Sequence, residues 1–522
     1  MREGYFIGVD SGTSGIKAVA FDMEGRELAV KRRSLKGITP CEDWYEQDME
    51  VIWENCCACL KGVLSQIEAE KVLGIGITAQ GDGLWMIDGE GKPVRPGICF
   101  CDGRTKKEID AWREDGILEK AFDICGTAVF GSAMSAEIRW MEKNMPECLE
   151  RAACFFHLKD WLFYKMTGVV SCDDTDMSIP MLNVLSRDYD DRLFCLYGIG
   201  KYREKFPKVY PTRENKSNLL PKLAKELGLR EEVLVVGGPM DIPACALGCG
   251  AIEDGQACTV IGTAAIHSVI MERPRPEPYM AGMTIAHCLP DRWIRLVSSL
   301  GGAPNLEWFL RTAGKRISLE AQERGVDIYS RCSELVDQVP IGSNGVVYHP
   351  YLMAGGERAP FFKGNIKASF AGISFNTTLE DMLRAVYEGI AMAMVDCYQS
   401  VPVKLSEIYV SGGGAKSDVW MQMFADAMGT DVVILCGTEL GAKGAAMNAA
   451  VALGTYGSYR EAVKAAVRER KRFHPREDRH RRYAELYHLY KRGYELSMEW
   501  WDERSKFLQG QYERGGARDE VS

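Results

Sequence analysis

No apolar run in these 522 residues approaches the roughly 20 that a bilayer-spanning helix needs, so no membrane partner is expected. Nor is there an excess of base. Lys and Arg number 64 against 73 Asp and Glu, and a net charge of −9 offers no face to a nucleic acid. The dense cysteine framework of a small secreted domain is missing too. The 18 cysteines are scattered at irregular spacings and no secretory leader precedes the first strand, which together predict a reduced, cytoplasmic protein. Cys56 and Cys59 form a C-x-x-C, but they fall in the helical pattern Met49 to Ile67 with no second pair or nearby histidine, and they read as packing residues. Two common nucleotide signatures are also absent. At the first glycine-rich turn Lys17 is followed by Ala18, where a P-loop needs Ser or Thr, and by a strand, where a dinucleotide fingerprint needs a helix.

What is present is an ordinary globular composition, 46% apolar and 26% charged, in a chain too long for one core. At least two large lobes are expected. The first begins with an apolar run from Tyr5 to Val9 that stops at Asp10, passes through Ser11-Gly12-Thr13-Ser14-Gly15, and resumes from Ile16 to Phe21. The pattern predicts a buried β-hairpin. Its tip is either an ordinary tight turn or a phosphate loop. In the second reading glycines aim N–H groups into one concavity, hydroxyls donate to phosphate oxygens, and Asp10 serves Mg²⁺. The pattern recurs at Ala257 to Ile261, Gly262-Thr263 and the strand to Ile270. Two such tips, each beginning one half of the chain, imply a duplicated domain closing on one nucleotide. A further glycine cluster, Gly412-Gly413-Gly414, follows a strand from Ile408 and precedes a helix starting near Ser417 and Asp418. Bare backbone and free N–H donors suit an adenine or ribose there.

Polar residues also collect just past buried strands, where ligands usually lie in α/β folds. Val72 to Thr78 delivers Gln80, Gly81 and Asp82, and Ile98 to Cys101 delivers Asp102 and Arg104. Asp102 and Arg104 are a local ion pair or, with the first group, a site for a polyhydroxy ligand. Trp44, ahead of a helix capped by Asp48, is plain packing or the wall of a cleft. Val233 to Gly237 leads to Asp241, at or just before a helix whose first turn holds Pro243. Asp241 is a helix cap or a general base at the mouth between the lobes. Leu84 to Val94 patterns as another hairpin, and helices are predicted over Trp112 to Leu118, Ala136 to Met145, Leu158 to Met166, Leu379 to Asp396 and Gly441 to Leu453. The tail from Arg468 is basic and then aromatic at helical spacing (Tyr483, Tyr487, Tyr490, Tyr494, Trp500, Trp501), a packing or dimer helix, with Gly515 to Ser522 frayed.

One segment carries a family resemblance. Ala368-Ser-Phe-Ala-Gly372-Ile373, a seven-residue spacer, and Asp381-Met-Leu-Arg-Ala385-Val-Tyr-Glu388 fit the carboxyl-half signature of the FGGY carbohydrate kinases at every constrained position. The chain resembles that family from Ile7 to about Gly454. The opening Asp-Ser-Gly-Thr-Ser is similar to its first phosphate motif, Gly262-Thr263 to its second and Gly412-Gly-Gly414 to its adenosine motif. Gly356-Glu357-Arg358-Ala-Pro360 and Glu439 with Gly444-Ala-Ala446 resemble two more of its segments.

The resemblance implies an α/β fold of two duplicated actin-like ATPase (ribonuclease H-like) domains with an interdomain cleft. The domains are drawn at residues 1–245 and 246–480, with a helical tail at 481–522. It also implies ATP and Mg²⁺, with Asp10 holding the metal and Asp241 as general base. Ser11, Gly12, Thr13, Ser14, Lys17, Gly262, Thr263, Gly413, Gly414 and Asp418 would contact nucleotide. Gln80, Gly81, Asp82, Asp102, Arg104 and Asp241 would contact substrate, and a homodimer is expected from family habit. Two places depart from the pattern: Phe100-Cys101 precedes Asp102, and Ile242-Pro243 follows Asp241 in place of a Gln-rich turn. Thr78-Ala-Gln80-Gly-Asp82-Gly-Leu-Trp85 looks like the corresponding stretch of erythritol and L-xylulose kinases, which implies a four- or five-carbon sugar or polyol. A D-xylulose, ribulose or glycerol kinase is the alternative within the family. A non-catalytic actin-fold ATPase or sugar sensor is the alternative outside it. The presence of both nucleotide and sugar residues favours the enzyme.

Overall fold

Ile7, Val9, Ile16, Ala18 and Ala20 are buried on one face and Phe6, Val19 and Phe21 on the other, so the first hairpin is covered on both faces and its strands read as apolar runs rather than as alternation. In the computed structural model, which describes residues 4–353 and 355–516, β1 (Tyr5–Ser11) and β2 (Gly15–Phe21) pair antiparallel with Asp10 opposite Lys17. β3 (Glu27–Ser34) extends that side. On the other side β4 (Val72–Ala79) runs parallel to β1. The short edge strand β5 (Lys216–Asn218) follows, antiparallel to β6 (Leu234–Gly237), which itself runs parallel to β4.

The second sheet repeats this order. β7 (Gln256–Ile261) and β8 (Ala265–Met271) form the hairpin, and β9 (Met283–Ala286) and β10 (Trp293–Ser299) extend it beyond β8. β11 (Glu407–Gly412) and β12 (Asp431–Leu435) run parallel to β7, and β13 (Glu469–Phe473) closes the far edge antiparallel. The expected duplication is therefore visible in the shared strand order, to which β9 adds one edge strand in the second sheet. β13 corrects the reading of the tail, whose basic start is an edge strand. It shows its charges to solvent while Arg472 pairs with Asp431 and Glu407, each at 2.9 Å.

The helices that bear on the site or on the sequence reading are α1 (Met49–Leu64), α2 (Lys106–Glu114), α3 (Ile117–Cys125), α4 (Met134–Asn144), α5 (Leu158–Thr167), α6 (Asp241–Cys249), α7 (Leu379–Gln399), α8 (Asp418–Met428), α9 (Leu440–Ala452) and α10 (Glu477–Gly516). The helix expected across Trp112 to Leu118 is broken at Gly116, whose φ of 65° ends α2 and starts α3. In the hairpin expected over Leu84 to Val94 the turn forms, Val94 N donating to the Met86 carbonyl at 3.0 Å. The strand Trp85–Asp88, however, finds its ladder partner in Ala152–Phe156. Cys56 and Cys59 pack in the core of the first lobe.

α6 leaves β6 and α9 leaves β12, equivalent positions in the two sheets, and the two helices pack on each other while α9 also lies across β1 and β4. Small residues permit this. A Cβ on Gly444 would overlap the Ala244 carbonyl, and one on Gly8 or Gly76 would overlap the carbonyl of Ala442 or Ala445. Backbone thus rests on backbone, and the run of Gly and Ala in α9 is the mark of this joint. The division drawn at 245/246 falls inside α6. The one drawn at 480/481 falls inside α10, whose Tyr483, Tyr490, Tyr494 and Trp501 are buried in the core of the second lobe. Residues 517–522, part of the segment expected to fray, lie outside the described residues. No helix among the described residues is long and apolar enough to cross a membrane.

Candidate active site

On the first tip, Lys17 Nζ lies 2.9 Å from Asp10 Oδ2 and 3.0 Å from Glu439 Oε2, which precedes α9. Burial works against the Lys17 charge, but Asp10 and Glu439 outweigh it and its pKa is raised. Arg32 also pairs with Glu439. Beside this chain of charge opens a cleft of about 390 Å³ lined by Asp10, Gly12, Ser14, Lys17, Arg32 and Arg33. The Thr13 hydroxyl, expected at a phosphate, donates instead to Gln80 Oε1 at 2.8 Å. Ser11 Oγ is buried without a partner among the described residues.

On the second tip, Gly262 N donates to the Ala264 carbonyl at 3.0 Å and the Gly262 carbonyl accepts from Ala303 N at 2.9 Å. Gly302 fits there because a side chain would collide with the carbonyls of Gly262 and Thr263. Glu357 holds this turn from behind. Its carboxylate accepts from Leu300 N at 3.0 Å, Arg358 N at 2.8 Å and the Ser299 hydroxyl at 2.8 Å, while burial raises its pKa to about 7. Sequence reasoning found Gly356-Glu357-Arg358 but missed Gly301-Gly302-Ala303, whose signal is a glycine pair directly after the apolar strand β10. Gly413 and Gly414 follow β11, and space at Gly413 is open. Ser417 caps α8 by accepting from Trp420 N at 3.3 Å, and the exposed Asp418 pairs with Lys471 at 2.6 Å.

Asp241 is the first residue of α6, and Met240 holds the capping position. The cap reading therefore fails. Burial, and then the carboxylates of Asp10 and Asp176, raise the Asp241 pKa to about 7. A carboxylate at the joint of two lobes with a pKa near neutrality can take a proton from a bound hydroxyl.

The sugar-side residues converge on the end of β4. Gln80 Nε2 donates to Gln47 Oε1 at 2.8 Å, and Gln47 Nε2 donates to the Thr13 carbonyl at 2.8 Å, closing a ring between the two predicted sites. Gln47 was not among the predicted site residues, although it lies in the Trp44 to Asp48 segment. Gly81 is pressed against Met240 and Asp176 and has no room for a side chain. Asp82, at φ 61°, accepts at Oδ1 from Met134 N at 3.0 Å, and burial pushes its carboxyl well up. Asp102 and Arg104 are an ion pair, with Nε to Oδ1 at 2.9 Å and Nη2 to Oδ2 at 2.7 Å. Nη2 also reaches Glu46 at 2.6 Å, and the guanidinium lies 4.0 Å from the Trp44 ring centre. Trp44 thus packs on a charged group of the site.

Behind this surface lies a buried cluster that sequence reasoning did not single out. Lys159 pairs with Asp160, with Asp173 at 2.5 Å and with Asp176 at 3.6 Å, and His157 Nδ1 stands 3.2 Å from Asp176. His157, Asp160 and Asp176 are spaced to ligate a cation, but the Lys159 ammonium already supplies the positive charge. The cluster fixes backbone: Asp176 accepts from Asp82 N at 3.3 Å, and the Thr175 hydroxyl accepts from Met240 N at 2.9 Å. It therefore braces both the end of β4 and the turn that presents Asp241.

Known proteins share this fold. Residues 5–248 match the N-terminal domain, and residues 257–453 the C-terminal domain, of the FGGY family of carbohydrate kinases. The chain is 30% identical to the L-xylulose/3-keto-L-gulonate kinase of Escherichia coli (strain K12), covering 88% of this chain and 90% of that protein. It is 29% identical to the erythritol kinase of Brucella abortus (strain 2308), covering 86% and 88%. The fold matches a ligand-bound xylulose kinase from Lactobacillus acidophilus with a TM-score of 0.86, at 21% identity over 95% of this chain and 98% of that one. The chain belongs to the FGGY family of carbohydrate kinases and is a phosphotransferase of their two-domain α/β fold.

Proposed function

We propose that the protein transfers the γ-phosphoryl group of ATP to a hydroxyl of a four- or five-carbon sugar or polyol, with Asp241 as the base. The observation that carries this reading is the position of Asp241. It starts the joint helix α6, within charge range of Asp10 and Lys17 on the nucleotide side and of Asp176 beneath the Gln80–Asp82 strand end. Asp10, Gly12, Ser14, Lys17 and Arg32 line the first cleft, and Gly262, Thr263, Gly413, Gly414 and Asp418 are the second lobe's nucleotide contacts in this reading. Asp10 is a hard oxygen donor beside that cleft, which fits Mg²⁺; the ion, when bound, would offset phosphate charge. Gln80, Asp82 and Arg104 orient the sugar, and Asp102 holds Arg104. Asp241 accepts the hydroxyl proton as the new P–O bond forms. Phosphoryl transfer asks mainly for such alignment and charge matching.

The erythritol and L-xylulose kinases among the relatives support the substrate size. The reading includes a homodimer, for which the exposed Leu489, Leu496, Trp500 and Phe507 on α10 supply the surface. Their spacings along the helix are the same from either end, so an antiparallel pair about a two-fold axis can set the four against their own copies. The test of the activity is ADP release from Mg-ATP across erythritol, D-threitol, L-xylulose, D-xylulose, D-ribulose, L-ribulose and glycerol. Asp241→Ala is the blank. One strong Asp241-dependent acceptor is expected, and no stimulation above the blank by any of them would overturn the substrate reading.

A further inference from the structure

Glu137, in the first turn of α4, is fully buried, yet neither of its carboxylate oxygens has a hydrogen-bond partner among the described residues. The Arg104 Nε approach of 3.9 Å is too long to count as one. Glu137 is not isolated. Asp102, Arg104, Arg95 and Asp82 are all near enough for their charges to act on it. Three of these neighbours carry an unmatched atom of their own, namely Arg104 Nη1, Arg95 Nη1 and Asp82 Oδ2, each buried and without a partner among the described residues. Buried polar atoms are nearly always paired, and several unpaired ones in one place mark a site that something else completes. Two carboxyl groups seeking donors and two guanidinium N–H groups seeking acceptors match a molecule that carries both on adjacent carbons.

We propose that Glu137, together with Asp82, is a specificity-determining residue of the sugar site, which it restricts to neutral polyols and ketoses and closes to sugar acids. The inference rests on the kinase reading above and narrows its substrate class. The charge count decides the selectivity. The Arg104 guanidinium is matched by Asp102 and Glu46, and Arg95 pairs with Glu46 as well. Both cations are therefore already matched, and burial holds the Glu137 and Asp82 carboxyls well up, in their neutral form, so a substrate carboxylate would enter as an unmatched charge in a buried place, which is strongly disfavoured. A neutral vicinal diol brings donors for the two carboxyl groups and lone pairs for the two Nη1 atoms. The contrast is with the E. coli relative whose name includes 3-keto-L-gulonate, a sugar acid.

The test uses the full-length protein and two readouts. Ligand-induced shifts in melting temperature report binding without turnover, and KM and kcat with Mg-ATP report catalysis. Erythritol, D-threitol, L-xylulose and D-xylulose are compared with D-gluconate and 3-keto-L-gulonate. The wild type should be stabilised by at least one neutral compound and by neither acid. Glu137→Gln keeps the shape and should raise KM for the neutral substrate at least tenfold with kcat within about twofold, while melting no lower than wild type in the absence of ligand. A merely structural Glu137 predicts the opposite, a lower melting temperature with KM unchanged. An unchanged KM, equal use of the acids, or a wild type that binds no neutral compound overturns the proposal. If Glu137→Gln does not fold, the neutral-against-acid selectivity of the wild type still decides it. A protein that binds the polyol through Glu137 but releases no ADP retains the proposal and overturns the kinase reading instead.

Discussion

Replacing Asp241 by asparagine should remove activity and increase stability at the same time, because the environment that makes this carboxyl a base also resists its ionisation. A carboxyl held at about 7 rather than 3.8 disfavours the charged form by about 4 kcal/mol at most. Asp241 stands at the mouth of the site rather than in a core, so solvent screening leaves roughly 2 kcal/mol as the working figure. The sign follows from proton binding. Between 3.8 and about 7 the folded chain keeps a proton that the unfolded chain has lost, so stability falls as pH rises through that window. The full cost is present above it. A neutral carboxamide in the same place carries no such cost at any pH. Asp241→Asn should therefore melt like wild type near pH 4 and about 4–8 °C higher at pH 8, taking about 2–4 °C per kcal/mol for lobes of this size. Sugar-dependent ADP release should drop by about 10²–10⁴-fold. The assay is a melting series without nucleotide over this pH range, paired with turnover at pH 8. A variant no more stable than wild type at pH 8, or one with the same gain at pH 4, would refute the claim that burial and the neighbouring acids tune this group.

Gly444→Ala places a methyl group on the Ala244 carbonyl where α9 crosses α6 and should cost about 1–3 kcal/mol in urea unfolding. Gly413→Ala, which meets open space, should stay within about 0.5 kcal/mol, and equal losses in both would show that the joint is not tightly packed. Trp500→Asp on the exposed face of α10 should shift the protein from dimer to monomer in light scattering while sugar-dependent ADP release persists. A wild type that is monomeric at micromolar concentration rules the dimer out.

The fold was legible because its signals are local. Apolar strands meeting glycine turns gave both hairpins, and their recurrence gave the duplication. Both sheets have that order, with the tips following β1 and β7. The misreadings came where local pattern competes with tertiary context. The segment Glu469–Phe473 has no apolar alternation and becomes a strand only because the edge of β12 and the acids Asp431 and Glu407 are there to receive it. Trp85–Asp88 had a turn next to it, but its strand partner lies far along the chain at Ala152–Phe156.

The site divides the same way. Asp10, Gln80, Asp82 and Asp241 stand just past buried strands, and a single sequence exposes residues in that position. The groups that set their chemistry do not. Glu137 sits in a helix, Glu46 and Gln47 in a short strand, and Lys159 at the start of α5, each looking like an ordinary polar residue of its element. Only burial distinguishes them: Glu137 and Lys159 have no exposed surface, and a charge with none must have a charge or a ligand beside it. For Lys159 the structure supplies the partners, three aspartates that brace the end of β4 and the Asp241 turn. For Glu137 the described residues supply two guanidinium groups within charge range but no hydrogen bond. The same physical test therefore sorts two buried charges that the sequence presents alike, assigning Lys159 to the frame of the active site and leaving Glu137 to be completed by the substrate.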